Sequence, residues 1–577
     1  MNAPAALRLD RADRITLRDL AEPTTPLGVA QQRLMVVMLL FMLVTGVIAA
    51  RLVQICLFGG NQGRAGAPSV ATRGAIYDRN GIPLATTIKL WSVAINPRKI
   101  LGDREALAVK LADLMPERSV QDYRRMIYSG KAFFYLRRPA PPELAAAVNA
   151  LGEPGMVLLT EPRRLFPQGM LAGHVLGYSQ MTAHGLTGIG TERYFDADLA
   201  RGKPVTLSID MRVQAAVEDE IAKRMGEVSA VGGAGVVLDV DTGEVLAMAS
   251  LPDINPNAPL SQLGDPARQQ DMLNKVTLST YELGSTFKML TFANALEHGL
   301  LSDMSQKIDV THPLHVGGFT IHDDEPKSRW LTVPEVMTFS SNIGTALIAD
   351  QLGADRVKAF FRELGFDRRT AIELRERGQP QFPSYWARTT VMTTAFGHGV
   401  SVTPLHLAQA YAALANGGMM HPATLMKHAD GAPVPGQRIV TEATSARIRQ
   451  LMRLVVLQGT GTNADAPGLR VGGKTGTAEK VVNGRYIKSS NITTFAGAFP
   501  MEHPRYVVLV LLDDAKASRA TFGFKTAGWM TAPLAKRIVA RIGPLLGIRP
   551  EDGRDVDESD LMPLILEKKV PGKNAVE

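Results

Sequence analysis

The sequence predicts a multidomain protein with one N-terminal transmembrane helix, a mixed α+β module and a larger α/β domain. Three observations lead to this fold class. An uncharged apolar run lies near the N-terminus, a strong hairpin signal opens the segment after it, and strand patterns recur at both ends of a long helix-rich stretch. Strands at both ends of one helical region indicate a single sheet assembled from distant segments.

Residues 34–57 are predicted to form an uncleaved transmembrane signal-anchor. The first part of this run, residues 34–50, carries no charge, and a spanning helix needs about 20 largely apolar residues. A cleaved signal peptide is the alternative, but the 33 residues before the run are longer than the usual leader. Arginines are more frequent before the run than after it, so residues 1–33 are expected to be a cytoplasmic arm. The chain beyond the anchor would then lie outside the inner membrane.

Composition narrows the classes of partner. The chain has 577 residues, 45% of them hydrophobic, and a formal net charge of +8. Such a charge suits an anionic partner, such as an acidic polymer or lipid head groups. The sequence lacks the basic stripe interleaved with aromatic residues that would indicate nucleic-acid binding. The single cysteine, Cys56, excludes an internal disulfide and a cysteine-based zinc site. The eleven histidines show no metal-binding spacing, so we expect neither a structural metal nor a cofactor.

Residues 58–204 are expected to form the α+β module. Asn80-Gly81 between two β-prone runs predicts a hairpin. Helical and strand-like patterns alternate after it: helices at 104–115 and 141–151, strands at 133–138 and 156–166.

Residues 205–548 are expected to form the larger domain, and residues 549–577 a partly flexible C-terminal tail. The domain opens with strands that turn at Asp241-Thr242-Gly243 and continues through a helix-rich stretch from about 285 to 455. Strands return on both sides of Asn483-Gly484 and at 505–514, and a final helix pattern spans 532–547.

The segment YELGSTFKML (281–290) carries the first chemical signal. If a helix starts near Ser285, Ser285 and Lys288 lie one turn apart on one face. A serine hydroxyl is a poor nucleophile without a neighbouring base, and a lysine can be that base only if burial or nearby positive charge lowers its pKa. Alone the pattern is weak, because a capping serine followed by a solvated lysine has the same spacing.

Two further motifs follow. GGKTGTAEK (472–480) contains the chain's single KTG, and a strand there would offer Lys474, Thr475 and Thr477 to an anionic substrate, with Gly476 allowing close approach. A backbone N–H of such a strand can form half of an oxyanion hole. An S-x-N pattern occurs twice. Ser340-Ser341-Asn342 precedes a helical run and could face a cleft, whereas Ser489-Ser490-Asn491 lies in a predicted strand and is interpreted as structural.

S-x-x-K, S-x-N and KTG in this order resemble the motif set of penicillin-binding proteins and class A β-lactamases. The flanks resemble class B penicillin-binding proteins in particular. They include YELGSTFK with Leu283 where proline is usual, ASLPDINPN, FGHGVSVTPLHLAQAYAALANGG and, in the first module, RGAIYDRNGIPLA. The resemblance covers nearly the whole chain beyond the anchor. It implies a pedestal module followed by a serine transpeptidase domain with a central antiparallel sheet flanked by helices.

The resemblance also implies a reaction and its residues. The family cross-links D-Ala-D-Ala stem peptides of peptidoglycan through a serine acyl-enzyme, and β-lactams acylate the same serine as substrate mimics. Carried over, Ser285 is the nucleophile and Lys288 its base, Ser340 relays a proton to the leaving amine, and Asn342 holds the substrate amide and Lys288. Lys474 tunes the Ser340 hydroxyl. The terminal carboxylate is bound by Thr475 and Thr477, and the N–H groups of Ser285 and Thr477 form the oxyanion hole.

Several stretches, among them LWSVAINP and GFKTAGWMTAPLAKRI, resemble the division-specific branch of the family. That branch implies a septal location and a glycosyltransferase partner of the FtsW type, together with other division proteins. An elongation-specific transpeptidase and a D,D-carboxypeptidase remain alternatives, and a β-lactam-binding scaffold or sensor is the non-enzymatic one. The absence of a basic insertion before VTLSID, which many division enzymes carry, leaves the elongation branch open.

Overall fold

The computed structural model describes residues 26–58, 72–182, 185–258, 269–429, 431–482 and 485–566. The chain divides into two compact units, residues 1–71 and 72–577. The described part of the first unit is one helix, α1 (Pro26–Phe58). Within α1, residues 33–51 are long and apolar enough to cross a membrane, where the sequence predicts the anchor. Residues 1–25 of the predicted cytoplasmic arm lie outside the described residues.

The second unit begins with a small sheet covered by helices. Its first elements are β1 (Ile76–Tyr77), β2 (Pro83–Ile95), α2 (Arg104–Leu114), α3 (Val120–Ile127), β3 (Phe134–Ala140), α4 (Pro142–Ala150) and β4 (Met156–Leu165). β2 pairs antiparallel with β1, β3 and β4, and Leu107 and Leu111 of α2 pack with Val93 of β2 in one apolar cluster. The hairpin predicted at Asn80-Gly81 is confirmed, because this turn joins β1 to β2.

An ion-pair network connects the start of this module to its end. The last elements of the module are α5 (Gly173–Leu176), β5 (Tyr178–Thr182), β6 (Gly185–Ile189), α6 (Gly190–Tyr194), α7 (Asp196–Ala200) and β7 (Val205–Thr206). Glu192, only 1% exposed, accepts from Arg73 Nε at 2.8 Å and from Arg164 Nε at 2.6 Å. A buried carboxylate is tolerated only with such partners. The network fastens the start of the module to its end, while β7 adds a parallel strand to β1.

The remainder of the unit is built on one antiparallel sheet. Its elements are α8 (Met211–Glu227), β8 (Gly232–Asp239), β9 (Val245–Leu251), α9 (Lys288–Glu297), β10 (Lys307–Ile308), β11 (Leu314–Val316), β12 (Phe319–Ile321), β13 (Leu331–Thr332), α10 (Val333–Thr338), α11 (Asn342–Leu352), α12 (Ala354–Glu363), α13 (Arg388–Thr394), α14 (Pro404–Ala415), β14 (Met419–Met420), β15 (Gln437–Arg438), α15 (Glu442–Gln458), β16 (Gly472–Val482), β17 (Arg485–Phe499), β18 (Tyr506–Asp513), α16 (Ala527–Met530) and α17 (Ala532–Leu545). The strand order β16-β17-β18-β8-β9 confirms a sheet assembled from distant segments.

Helices cover both faces of this sheet. Along β18, Val508 and Val510 pack with the apolar faces of α8 and α17, whereas the alternate residues Leu509 and Leu511 join the large core that contains α9, α14 and α15. The two-residue period of a strand produces this division. The predicted turn residues Asn483-Gly484 lie outside the described residues, but Val482 pairs with Arg485 on either side of them.

The first part of the predicted flexible tail differs from expectation. Residues 549–566 pack back on the domain, and Leu561 and Ile565 are buried in the large core. Asp555 accepts from Arg453 Nε at 2.6 Å and so ties this segment to α15. The apolar LMPLIL run, preceded by acidic residues, explains the docking. Residues 567–577 are outside the described part of the chain.

Candidate active site

The serine of S-x-x-K lies at the junction of two helical turns. Residues Gly284–Phe287 form a 3₁₀ turn that continues into α9 at Lys288. Ser285 is half-buried, and its hydroxyl has no hydrogen-bond partner among the described residues. Lys288, one turn further, is completely buried. The structure therefore leaves Ser285 partly exposed and buries Lys288, with the one-turn separation that the spacing predicts.

Two glycines allow the serine turn to lie directly on the KTG strand. Gly284 has a positive φ of 56°, and a Cβ there would sit 2.7 Å from the carbonyl oxygen of Thr477. A Cβ on Gly476 would collide with the carbonyl oxygen of Leu283. Both positions need glycine for close backbone approach, and the contact places Ser285 beside Thr477.

Ser340 lies between the two lysines of the motifs. Lys288 Nζ donates to the Ser340 carbonyl oxygen through a short hydrogen bond and to Ser340 Oγ at 3.0 Å. Lys474 Nζ donates to the same Oγ at 2.9 Å and to the Thr475 carbonyl oxygen at 3.1 Å. Segments separated by 52 and 134 residues thus meet at one hydroxyl. This group can receive a proton from one amine and pass one to a neighbouring acceptor.

Burial sets the charge of these amines. It lowers the pKa of Lys288 to about 7, against the opposing pull of Asp323 and Asp324. Burial also lowers the pKa of Lys474 well below its usual range, and the positive charge of Lys288 lowers it further. Near neutral pH a substantial share of Lys288 is therefore uncharged and able to accept a proton.

The turn that carries Ser340 is conformationally unusual. Ser340 has a φ of 60°, a left-handed backbone that costs a residue with a Cβ about 1–3 kcal/mol. It separates α10 from α11, and Ser341 caps α11 by accepting from the Gly344 N–H at 2.9 Å. Asn342 Nδ2 donates to the carbonyl oxygen of His322 at 2.9 Å. The hydrogen bond from Asn342 to Lys288 that the resemblance implies is not formed among the described residues.

The two threonines of the strand have partners that the sequence analysis missed. Thr475 Oγ1 lies 2.6 Å from Thr460 Oγ1, at the end of α15. Thr477 Oγ1 accepts from the Ala527 N–H at 3.0 Å, at the start of α16. Neither partner carries a motif of its own, so a local pattern could not have found them. The structure brings the three motifs together, because Ser340 contacts Lys288 and Lys474 and the serine turn lies against Gly476 and Thr477.

Comparison with known proteins agrees with this geometry. The description "Penicillin binding protein transpeptidase domain" matches residues 233–540, and "Penicillin-binding Protein dimerisation domain" matches residues 68–202. The chain is 39% identical over 491 residues to the probable peptidoglycan D,D-transpeptidase FtsI of Caulobacter vibrioides, covering 83% of this chain and 82% of that one.

Two other relatives show similar coverage. The probable peptidoglycan D,D-transpeptidase PenA of Neisseria meningitidis is 32% identical over 83% of this chain and 85% of its own length. The peptidoglycan D,D-transpeptidase FtsI of Escherichia coli K12 is 30% identical over 83% of this chain and 84% of its own length. With a dimerisation domain before a transpeptidase domain and relatives along most of its length, the chain belongs to the class B penicillin-binding proteins.

Proposed function

We propose that the protein is a peptidoglycan D,D-transpeptidase that cross-links stem peptides through an acyl-enzyme on Ser285 during septal wall synthesis. One observation carries the proposal: the Ser340 hydroxyl accepts from the buried amines of Lys288 and Lys474 at 3.0 and 2.9 Å. Lys288 in turn lies one helical turn after Ser285, whose hydroxyl has no hydrogen-bond partner in the described part of the chain. A nucleophile, a base with a lowered pKa and a proton relay are the parts that acyl transfer requires.

Acylation would proceed as follows. Neutral Lys288 takes the proton of Ser285 Oγ, which attacks the carbonyl carbon of the penultimate D-Ala. The C–N bond to the terminal D-Ala then breaks, and the leaving nitrogen receives a proton from Ser340 Oγ, which is reprotonated by a flanking lysine. In the second half-reaction an amine of a neighbouring stem peptide attacks the ester, loses its proton along the same path and releases Ser285.

The strand residues would bind the substrate. Lys474 attracts the terminal carboxylate, Thr475 and Thr477 hold it, and Gly476 admits the peptide close to the strand. The N–H groups of Ser285 and Thr477 would stabilise the tetrahedral oxyanion, a role supported by the contact of Gly284 with Thr477. Asn342 would orient the substrate amide, and β-lactams would occupy the same positions and acylate Ser285.

The chain's remaining parts fit a membrane-anchored division enzyme. We propose that residues 34–57 span the inner membrane with residues 1–33 in the cytoplasm. Residues 58–204 would then form a periplasmic pedestal and residues 205–548 the periplasmic transpeptidase domain. FtsI relatives support a place at the septum beside a glycosyltransferase of the FtsW type and other division proteins.

Labelled penicillin tests the active site. The full-length protein is expected to form a covalent adduct that Ser285→Ala abolishes, because the other hydroxyl beside the buried lysines, that of Ser340, already accepts hydrogen bonds from both amines. An adduct that survives Ser285→Ala unchanged would overturn the assignment.

Two further assays separate the alternatives. Incubation with lipid-linked substrate should give cross-linked products for a transpeptidase and only released D-Ala for a carboxypeptidase. Depletion in the source bacterium should give filaments for a division enzyme and round cells for an elongation enzyme.

A further inference from the structure

A loop outside the three motifs forms hydrogen bonds to the turn that carries Ser340. This loop, His322-Asp323-Asp324, follows β12, and the mechanism above gives it no role. Asp323 is only 8% exposed. Its Oδ2 accepts from Ser341 Oγ at 2.7 Å, and its Oδ1 accepts from the backbone N–H of Ile343 at 2.9 Å.

The hydrogen bonds from this loop reach three successive residues that follow Ser340. Ser341 Oγ, which donates to Asp323, also accepts from the Gly344 N–H and so caps α11. Asn342 Nδ2 is bound by the His322 carbonyl oxygen at 2.9 Å. Ser340 therefore precedes three residues that this loop fixes through hydrogen bonds. Its left-handed backbone is unfavourable by itself, and such a conformation persists only where the surroundings determine it.

Asp323 also influences the charge beneath the nucleophile. The charged groups that act on Lys288 are Asp323 and Asp324 from this loop, and those that act on Lys474 are Lys288 and Asp324. Burial lowers the pKa of Lys288, and the two carboxylates oppose that effect. Asp324 differs from Asp323 because it is exposed and forms no hydrogen bond to the turn.

We propose that Asp323 is a positioning residue for acyl transfer, which holds Ser340 Oγ between the two lysines and balances the positive charge around Lys288. This inference rests on the proposed function of Ser285. Both Asp323 carboxylate oxygens accept hydrogen bonds from the turn, whereas Asp324 forms none to it.

The test compares Asp323→Ala, Asp323→Asn and the matched control Asp324→Asn in the full-length protein. Acylation by fluorescent penicillin is followed from pH 5 to pH 9, and thermal unfolding is measured in parallel. Asp323→Ala should lower the plateau rate about 100-fold, because a displaced catalytic group loses that much.

Asp323→Asn can keep one bond to the turn and should lower the plateau rate about tenfold, since a charged hydrogen bond is lost. It should also move the acid limb of the profile to lower pH, because Lys288 loses an opposing negative charge. Asp324→Asn should move the limb in the same direction while its plateau stays within about twofold of wild type.

A purely structural Asp323 would give another pattern. Both Asp323 variants would then unfold at lower temperature, but their folded fractions would acylate at the wild-type rate with an unshifted acid limb, and the inference would be wrong. If Asp323→Ala does not fold, the rate and pH profile of Asp323→Asn decide. Wild-type protein that takes no label would instead refute the proposed function itself.

Discussion

The tripeptide Ser-Ser-Asn occurs at 340–342 and again at 489–491, and the two copies have different structures. The first lies between α10 and α11, where Ser340 has a φ of 60° and Ser341 is buried. The second lies inside β17, where Ser489 is exposed. Identical side chains are thus a proposed proton relay with a helix cap in one place and part of a strand in the other.

Their flanking segments produce this difference. Before the first copy, Thr332 and Glu335 form a reciprocal cap at the start of α10, and an apolar helix follows the copy. The second copy follows the hairpin and extends into the central sheet.

The second copy departs from the regular alternation that the sequence predicts. Residues 488–490 stand opposite a register shift between Glu479 and Lys480, and pairing with β16 resumes at Asn491. A bulge of this kind interrupts the two-residue period locally. The strand itself is confirmed.

The lysines near each copy differ as well. Lys474 is fully buried and donates to Ser340 Oγ. Lys480, near the second copy, is 31% exposed and paired with both oxygens of Asp513 at 2.7 and 2.8 Å. A carboxylate beside an amine favours the charged form of that amine, whereas burial favours the neutral form. The first copy alone combines a hydroxyl with such amines.

Replacing the first serine of each copy gives the largest expected contrast. Ser340→Ala should lower the acylation rate by about 100-fold or more, because general acid-base groups contribute on that scale. Ser489→Ala should change the rate by less than about twofold, as exposed substitutions usually do. Stopped-flow acylation with a chromogenic cephalosporin measures both rates. A large loss in Ser489→Ala would show that the second copy has a role in the cleft.

The pH profile should follow the buried amines of the first copy. Because burial lowers the pKa of Lys288 to about 7, and the neutral amine is the proposed base, acylation should rise with pH and reach half its plateau near that value. Between pH 5 and pH 7 the neutral fraction, and with it the rate, should rise about 50-fold. Lys480→Met is the matched control and should leave the profile unchanged. A flat profile in wild-type protein would exclude Lys288 as the base.

The asparagines give the smallest contrast. Asn342→Ala removes the hydrogen bond to His322 and the proposed substrate contact, so kcat/KM for a peptide donor should fall about tenfold, as for one lost hydrogen bond. Asn491→Ala keeps its backbone bond to the Asp514 N–H, 2.8 Å long, and should alter only the free energy of unfolding, by about 1 kcal/mol. Donor kinetics and thermal melts distinguish the two. Equal kinetic losses would contradict the division of roles.

Much of the architecture follows from local patterns. The helix at Arg104–Leu114, the strand at Tyr506–Asp513 and the hairpin at Asn80-Gly81 lie where periodicity and turn chemistry predict them. The docking of residues 549–566 was not predicted, because a short run rich in charge and proline reveals nothing about the core it meets.

The sequence by itself determined which reactive groups the protein contains. It also determined which of them lie one helical turn apart, because the helical repeat places Ser285 one turn before Lys288. It also favoured one Ser-Ser-Asn copy through its flanks. Only the tertiary structure decided how those groups act. It brought Lys474 and Ser340 to Lys288 from distant segments and engaged Asp323 with the turn. It also removed water from both amines. Burial and long-range contact depend on how the whole chain packs, and no local pattern encodes them.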